Sequence, residues 1–287
     1  MTFSNPQYLL ETDWLEMHLA DSDLRVLDCT VFFHTDDRSI RRESGRNAWV
    51  EGHIPGSGFA DLIGDLSDRD SHFPLMMPPG VQFAAAMSRY GVGEGTRVIL
   101  YDDSMSISAA RVWWMLRAFG FDAAAVLNGG WRKWTLERRP ISTEPPAYPP
   151  ARFIARSRPT LIADKHDVLA AIGDSGSCLL NALTAEEHVG TTVRYGRPGR
   201  IPSSVNISAR AIVDPNTSAY LPAEQLRAKF VAVGATSRGR VITYCGGGIA
   251  ASSDAFVLIL LGVENVAVYD GSLSEWAADP TLPMEVG

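Results

Sequence analysis

A cysteine followed at once by three glycines, Cys245 with Gly246, Gly247 and Gly248, is the arrangement in this sequence best suited to covalent chemistry. The apolar run Val241–Tyr244 leads into it, and Asp254–Leu261, an apolar segment of helical length, follows. That order sets the thiol at a turn from strand to helix. Backbone N–H groups gather there, beyond the carboxyl end of a strand and at the start of a helix, and form a nest for anions. Glycines carry no Cβ, so the loop can turn its amides inward and let a ligand approach the backbone. The thiolate is the nucleophilic form of cysteine, and surrounding N–H dipoles favour it. The same cradle suits a persulfide anion. Cys245 is therefore the candidate nucleophile, and the amides of Gly246, Gly247, Gly248, Ile249 and Ala250 are the candidate anion-binding set.

The other two cysteines, Cys29 and Cys178, lie in or just beyond apolar strand-like runs with no glycine loop after them, and read as small core residues. Three cysteines at wide spacing do not make a disulfide framework. There is no CxxC pair and the histidines are scattered, so no metal site is expected. A cysteine phosphatase or arsenate reductase would also place a cysteine at an amide-lined loop, but that loop ends in an arginine. Here Ala251 stands six positions after Cys245 and no arginine follows before Leu261, which leaves a bound phosphate without a guanidinium.

The elements that must hold this loop occur twice, in the same order. The first half reads VLDCTV (Val26–Val31), GHIPGS (Gly52–Ser57), TRVILYDD (Thr96–Asp103) and VLNGGWRKW (Val126–Trp134). The second reads LLNALT (Leu179–Thr184), GRIPSS (Gly199–Ser204), GRVITYCG (Gly239–Gly246) and VYDGSLSEW (Val268–Trp276). Continuous apolar runs such as Val98–Tyr101 and Val241–Tyr244 read as strands covered on both faces. Segments of helical period, Pro79–Tyr90 and Ala110–Phe119, fall between such runs. The alternation predicts an α/β fold of two tandem domains, each an open, mostly parallel sheet with helices on both faces. Residues 1–140 and 160–287 form the domains. The proline-rich stretch 141–159 joins them as a semi-rigid linker lying over the surface. Where the second half has its cysteine, the first has Asp102, Asp103, Ser104 and Met105, so residues 1–140 supply structure and one wall of the cleft.

With 46% hydrophobic and 21% charged residues the chain has an ordinary globular composition, which argues against disorder or a fibrous repeat. A net charge of −7, with a basic cluster no longer than Arg38, Arg41 and Arg42, argues against a nucleic-acid partner. No apolar run is long enough to span a membrane, and the first residues lack the pattern of a signal peptide, so a cytoplasmic location is expected.

HIPG at His53–Gly56, NGGWRKW at Asn128–Trp134, YCGGGIAAS at Tyr244–Ser252 and YDGSLSEW at Tyr269–Trp276 together resemble the tandem-domain rhodanese family, from about Val26 to Met284. That family includes thiosulfate and 3-mercaptopyruvate sulfurtransferases, with the active cysteine in the second domain and an inactive first domain. The resemblance implies a ping-pong cycle. Cys245 takes a sulfane sulfur from a small anionic donor, holds it as a persulfide, and passes it to cyanide or a thiol, with no metal or organic cofactor. Thiosulfate-specific members resemble CRKGVT in the loop and mercaptopyruvate-specific ones CGSGVT; here it is CGGGIA, so Gly247 replaces both the lysine and the serine.

In the mercaptopyruvate enzymes that serine works with a histidine and an aspartate. Leu75, in PLMMP, stands in the histidine's place. His72 reads as a solvated loop residue, with Asp61 and Asp65 as further candidates for such a set. The resemblance also implies arginines that grip the donor, for which Arg194 and Arg197 are available; Leu183 and Glu187 fall where other members often carry arginine. A non-enzymatic module that only relays sulfur is the alternative, separable by its failure to turn over a free acceptor.

Overall fold

The computed structural model describes residues 2–36, 39–146 and 148–287; Arg38 of the basic cluster lies outside them. In chain order the strands are β1 (Leu9–Leu10), β2 (Leu24–Asp28), β3 (Val31–Thr35), β4 (Ile40–Ser44), β5 (Gly58–Phe59), β6 (Arg97–Tyr101) and β7 (Ala124–Leu127). There follow β8 (Ile162–Ala163), β9 (Ser177–Asn181), β10 (Val205–Asn206), β11 (Arg240–Tyr244) and β12 (Val266–Tyr269).

Two five-stranded parallel sheets result, in the orders β1-β7-β6-β2-β5 and β8-β12-β11-β9-β10. Matched strand for strand, the orders are identical, so the internal repeat of the sequence is a repeat of topology. The central strands β2, β6, β7, β9, β11 and β12 are buried nearly throughout because helices cover both faces. Registers repeat as well: Asp28 lies beside Tyr101 in the first sheet and Asn181 beside Tyr244 in the second. Each tyrosine bonds a serine from the HIPGS or RIPSS stretch, Tyr101 Oη to Ser57 Oγ at 2.8 Å and Tyr244 Oη to Ser204 Oγ at 2.6 Å.

The helices that follow the two central strands, Ile107–Ala118 and Ile249–Leu260, pack against each other and join the halves. Trp113 meets Phe256 edge to face at 4.8 Å, and one apolar core runs through both sheets. A helix buried on all sides in this way need not be amphipathic. This explains a difference from the sequence reading, which placed the start of the second helix at Asp254. The helix begins at Ile249, and its serines are satisfied internally, Ser252 Oγ on Gly248 O at 2.7 Å and Ser253 Oγ against Tyr220 Oη at 2.9 Å.

The described residues of the 141–159 stretch lie on the first half. Tyr148 Oη accepts from Val26 N at 2.9 Å, Phe153 is buried, and Arg156 N and Arg158 N donate to Phe119 O and Ala118 O. The sequence reading missed the antiparallel hairpin of β3 and β4, inserted after β2. Among the described residues no such hairpin occurs between β9 and β10.

Candidate active site

Cys245 is the first residue after β11 and is almost completely buried, at 3% exposure. It sits in the floor of a cleft of about 740 Å³ walled by both halves. The first half contributes Phe32, Phe33 and Ile40 of the hairpin, Pro74, Leu75, Met105 and Arg132; the second contributes Leu183, Arg194, Tyr195 and Arg210 with the loop itself. Gly248 closes the loop at φ +77, a left-handed conformation natural to glycine, and caps the helix Ile249–Leu260. The amides of Gly246, Gly247, Ile249 and Ala250 have no hydrogen-bond acceptor among the described residues, and Gly246, Gly247, Ile249 and Ala250 line the cleft. A helix N-terminus with open amides beside a thiol is an anion site of the kind the sequence suggested.

Gly248 differs from the other loop glycines. Its N–H is taken by Ser272 Oγ at 3.2 Å, and it faces away from the cleft towards Arg111, whose Nη1 lies 2.8 Å from where a Cβ would stand. Among the expected anion-binding amides, that of Gly248 is therefore already satisfied. Ser272 also accepts from Cys245 N at 3.1 Å and donates to Tyr269 O at 2.7 Å, so one hydroxyl braces both ends of the loop. Ser274 adds bonds to Gly246 O from its N at 2.9 Å and its Oγ at 2.5 Å. The turn YDGSLSEW is thus a scaffold for the cysteine loop; its match to VLNGGWRKW revealed the repeat but not this task.

Behind the loop lies Arg111, fully buried and contributed by the first half. Its Nη2 pairs with Asp270 and donates to Leu75 O at 3.1 Å, while Asp270 Oδ2 accepts from Met77 N at 2.8 Å. One ion pair thereby ties the PLMM segment of the first half to the turn that holds the loop of the second. Leu75 adopts φ +64, an unfavourable conformation for a branched residue, held by these bonds.

The two expected arginines part company. Arg194 lines the cleft, its Nη1 2.9 Å from Glu187 Oε1. Arg197 does not: its guanidinium is spent on four main-chain carbonyls, those of Trp276, Ala277, Asp279 and Leu282, at 2.8–3.1 Å. It fastens the C-terminal segment, and its candidacy as a donor-binding residue is withdrawn. Those carbonyls lie some 80 positions further along the chain, beyond any local pattern. Leu183 and Glu187 do face the cleft, while Arg42, Arg132 and Arg210 are cleft arginines the sequence reading did not single out.

The residues considered for a serine–histidine–aspartate set do not assemble. His72 is exposed and outside the cleft. Asp61 accepts from Gly64 N at 3.0 Å and pairs loosely with Arg46, and Asp65 is engaged by Tyr90 Oη at 2.7 Å and Arg89 at 3.0 Å. Leu75 occupies the wall opposite Gly247, whose added Cβ would stand 3.5 Å from Pro74 O. Cys29 and Cys178 lie away from the cleft. Burial drives the Cys29 thiol well above its ordinary value and pushes Cys178 up to about 11, so neither supplies a ready thiolate. Among the described residues no cluster of His, Cys, Asp and Glu could hold a metal ion, and no helix is long and apolar enough to cross a membrane.

The rhodanese-like domain family matches this sequence over residues 11–137 and 164–279. A 3-mercaptopyruvate sulfurtransferase of Escherichia coli (strain K12) is 31% identical, over 97% of this chain and 98% of its own. A protein of Thermus thermophilus named sulfur carrier protein TtuD is also 31% identical, covering 100% of this chain and 99% of its own. The crystal structure of the 3-mercaptopyruvate sulfotransferase SseA from Escherichia coli superposes with a TM-score of 0.82 at 30% identity, over 92% of this chain and 98% of that one.

Proposed function

The chain belongs to the rhodanese family and is a sulfurtransferase, and from that premise we propose that Cys245 carries the sulfur and that the preferred donor is 3-mercaptopyruvate. The observation that carries this reading is the buried thiol of Cys245 beneath open loop amides at the floor of a two-sided cleft. The Cys245 thiolate attacks the donor sulfur, a new S–S bond forms, and the donor's bond to that sulfur breaks with its electron pair leaving on the departing group. The negative charge on the outer sulfur then rests among the amides of Gly246, Gly247, Ile249 and Ala250, fixed dipoles that need no reorganisation. An acceptor thiolate or cyanide attacks the outer sulfur and restores the Cys245 thiolate.

Two features support a carboxylate donor over thiosulfate. The loop carries no cation at positions 246 or 247, where a compact dianion would want one, whereas the guanidinium of Arg194 on the cleft wall suits a carboxylate held away from the sulfur. The Escherichia coli relative is also named for 3-mercaptopyruvate. Turnover with cyanide as acceptor tests this: kcat/KM for 3-mercaptopyruvate should exceed that for thiosulfate, and the reverse order would reject the donor assignment. A relay role is a second reading, supported by the relative named as a sulfur carrier; it requires a persulfide that no small acceptor discharges. We also assign the chain to the cytoplasm, a reading supported by its three unpaired cysteines.

A further inference from the structure

Tyr195 lies against the cysteine loop, and nothing in the steps above uses it. It lines the cleft, and its hydroxyl has no hydrogen-bond partner among the described residues. A methyl group built on Gly246 would overlap the Tyr195 hydroxyl and the ring carbon that bears it. The contact is so close that any side chain at position 246 must push the Tyr195 ring from its place. Burial pushes the phenol well above its usual range, and the nearby charge of Cys245 pushes it the same way, so the group stays neutral and able to donate.

We propose that Tyr195 selects the donor: its ring bars any side chain, charged or not, from position 246, and its hydroxyl is the neutral hydrogen-bond donor offered to the group that leaves Cys245's sulfur. The two tasks converge on one class of substrate, a mercapto acid. When the Cys245 thiolate takes sulfur from 3-mercaptopyruvate, the C–S electron pair passes into the pyruvate fragment as an enolate. A phenol O–H beside the loop stabilises that oxyanion, and water supplies the proton that completes pyruvate. Sulfite departs from thiosulfate as a stable anion and has less need of such a partner. This class assignment rests on the mercaptopyruvate reading above, whereas the steric claim does not.

Gly246→Ala, Tyr195→Ala and the double variant are compared with cyanide as acceptor and whichever donor the wild-type protein uses faster, with thermal melts reporting the fold. Steric control predicts that Gly246→Ala lowers kcat/KM about tenfold or more with Tyr195 present, an overpacking cost. In the Tyr195→Ala background the same change should cost no more than about twofold, a coupling that the cycle isolates. Equal losses in both backgrounds would overturn the proposal. Tyr195→Phe keeps the ring and removes the hydroxyl. It should lower kcat for 3-mercaptopyruvate about tenfold, the worth of one hydrogen bond, with thiosulfate turnover and melting unchanged. Equal falls for both donors would reject the hydroxyl's part in selection. A wild-type protein that prefers thiosulfate would reject the donor reading, and the Gly246–Tyr195 cycle would still decide the steric claim.

Discussion

The loops that follow β6 and β11 occupy the same place in two copies of one topology, yet one is closed and the other open. Asp102 stands where Cys245 stands in the second half, directly after the matching tyrosine. Its carboxylate accepts from Ser104 N at 2.7 Å, Ser106 N at 2.9 Å and Ala109 N at 2.7 Å, so the first loop wraps its amides around an anion of its own. In the second half the amides of Gly246, Gly247, Ile249 and Ala250 stay open beside a thiol, and only that of Gly248, at the matching helix cap, is taken, by Ser272 Oγ. The supports differ in the same sense. At the left-handed position of the bracing turn the first half has Gly130 (φ +52) and the second has Ser272 (φ +48), whose hydroxyl holds Cys245 N and Gly248 N. A single fold thus builds an anion nest twice, plugs one copy with a built-in carboxylate and leaves the other free for a persulfide.

The sharpest break in this comparison is Cys245→Ser, which should reduce transfer to background in a steady-state assay with either donor while the thermal melt stays put. Adding Asp102→Cys in that background should not restore activity, because the first loop lacks both the glycines and the Ser272 brace. Recovered turnover would mean that any thiol on this topology suffices. Arg111→Met comes next. It leaves the partly buried Asp270 with the Met77 amide but no cation, a loss of about 2 kcal/mol in chemical denaturation, and loosens the loop enough to lower kcat.

Arg194→Ala and Arg197→Ala should separate cleanly. The first raises KM for an anionic donor about tenfold and also lowers the melt, since it leaves the buried Glu187 without its cation, whereas the second destabilises the fold without a selective effect on KM. Ser272→Gly imports the first half's residue and should lower kcat several-fold, near the worth of one or two hydrogen bonds, with melting almost unchanged since a strained φ is relieved.

The effect with the least expected consequence for turnover, one on stability alone, concerns Asp28, whose counterpart is Asn181. Burial raises the Asp28 carboxyl to about 7, against an ordinary value of 3.8. A carboxyl with a raised value in the folded state favours folding most at low pH. That contribution is full below about 4 and is lost as pH rises through 7. Asp28→Asn keeps the acceptor for Thr30 N and removes the titration, so its advantage over wild type should grow by about 3 kcal/mol between pH 5 and 8, nearly all of it below pH 7. Parallel stability curves across that range would contradict the assignment.

The parts of this account that could be read from sequence are the local ones. Apolar runs fixed the central strands, and CGGG between a strand and an apolar segment marked the nucleophile, because a strand, a turn and a helix start are set by neighbouring residues. What escaped notice depends on distant contacts. Arg197 differs from Arg194 only through the carbonyls of the C-terminal segment, Tyr195 matters only because a loop fifty positions away packs under its hydroxyl, and Arg111 reaches across from the other half. In the sequence the first loop shows only that it lacks a cysteine and is acidic, which reads as a structural role; its hydrogen bonds show that Asp102 fills the nest from within.

The central claim is that sulfur rests on Cys245. Peptide mass spectrometry of the wild-type protein after exposure to 3-mercaptopyruvate tests it most directly. The account predicts a mass gain of one sulfur atom on the Cys245 peptide, erased by cyanide and absent from the peptides of Cys29 and Cys178. A cyanide-labile sulfur on either of those cysteines, or turnover with Cys245 unmodified throughout, would contradict it.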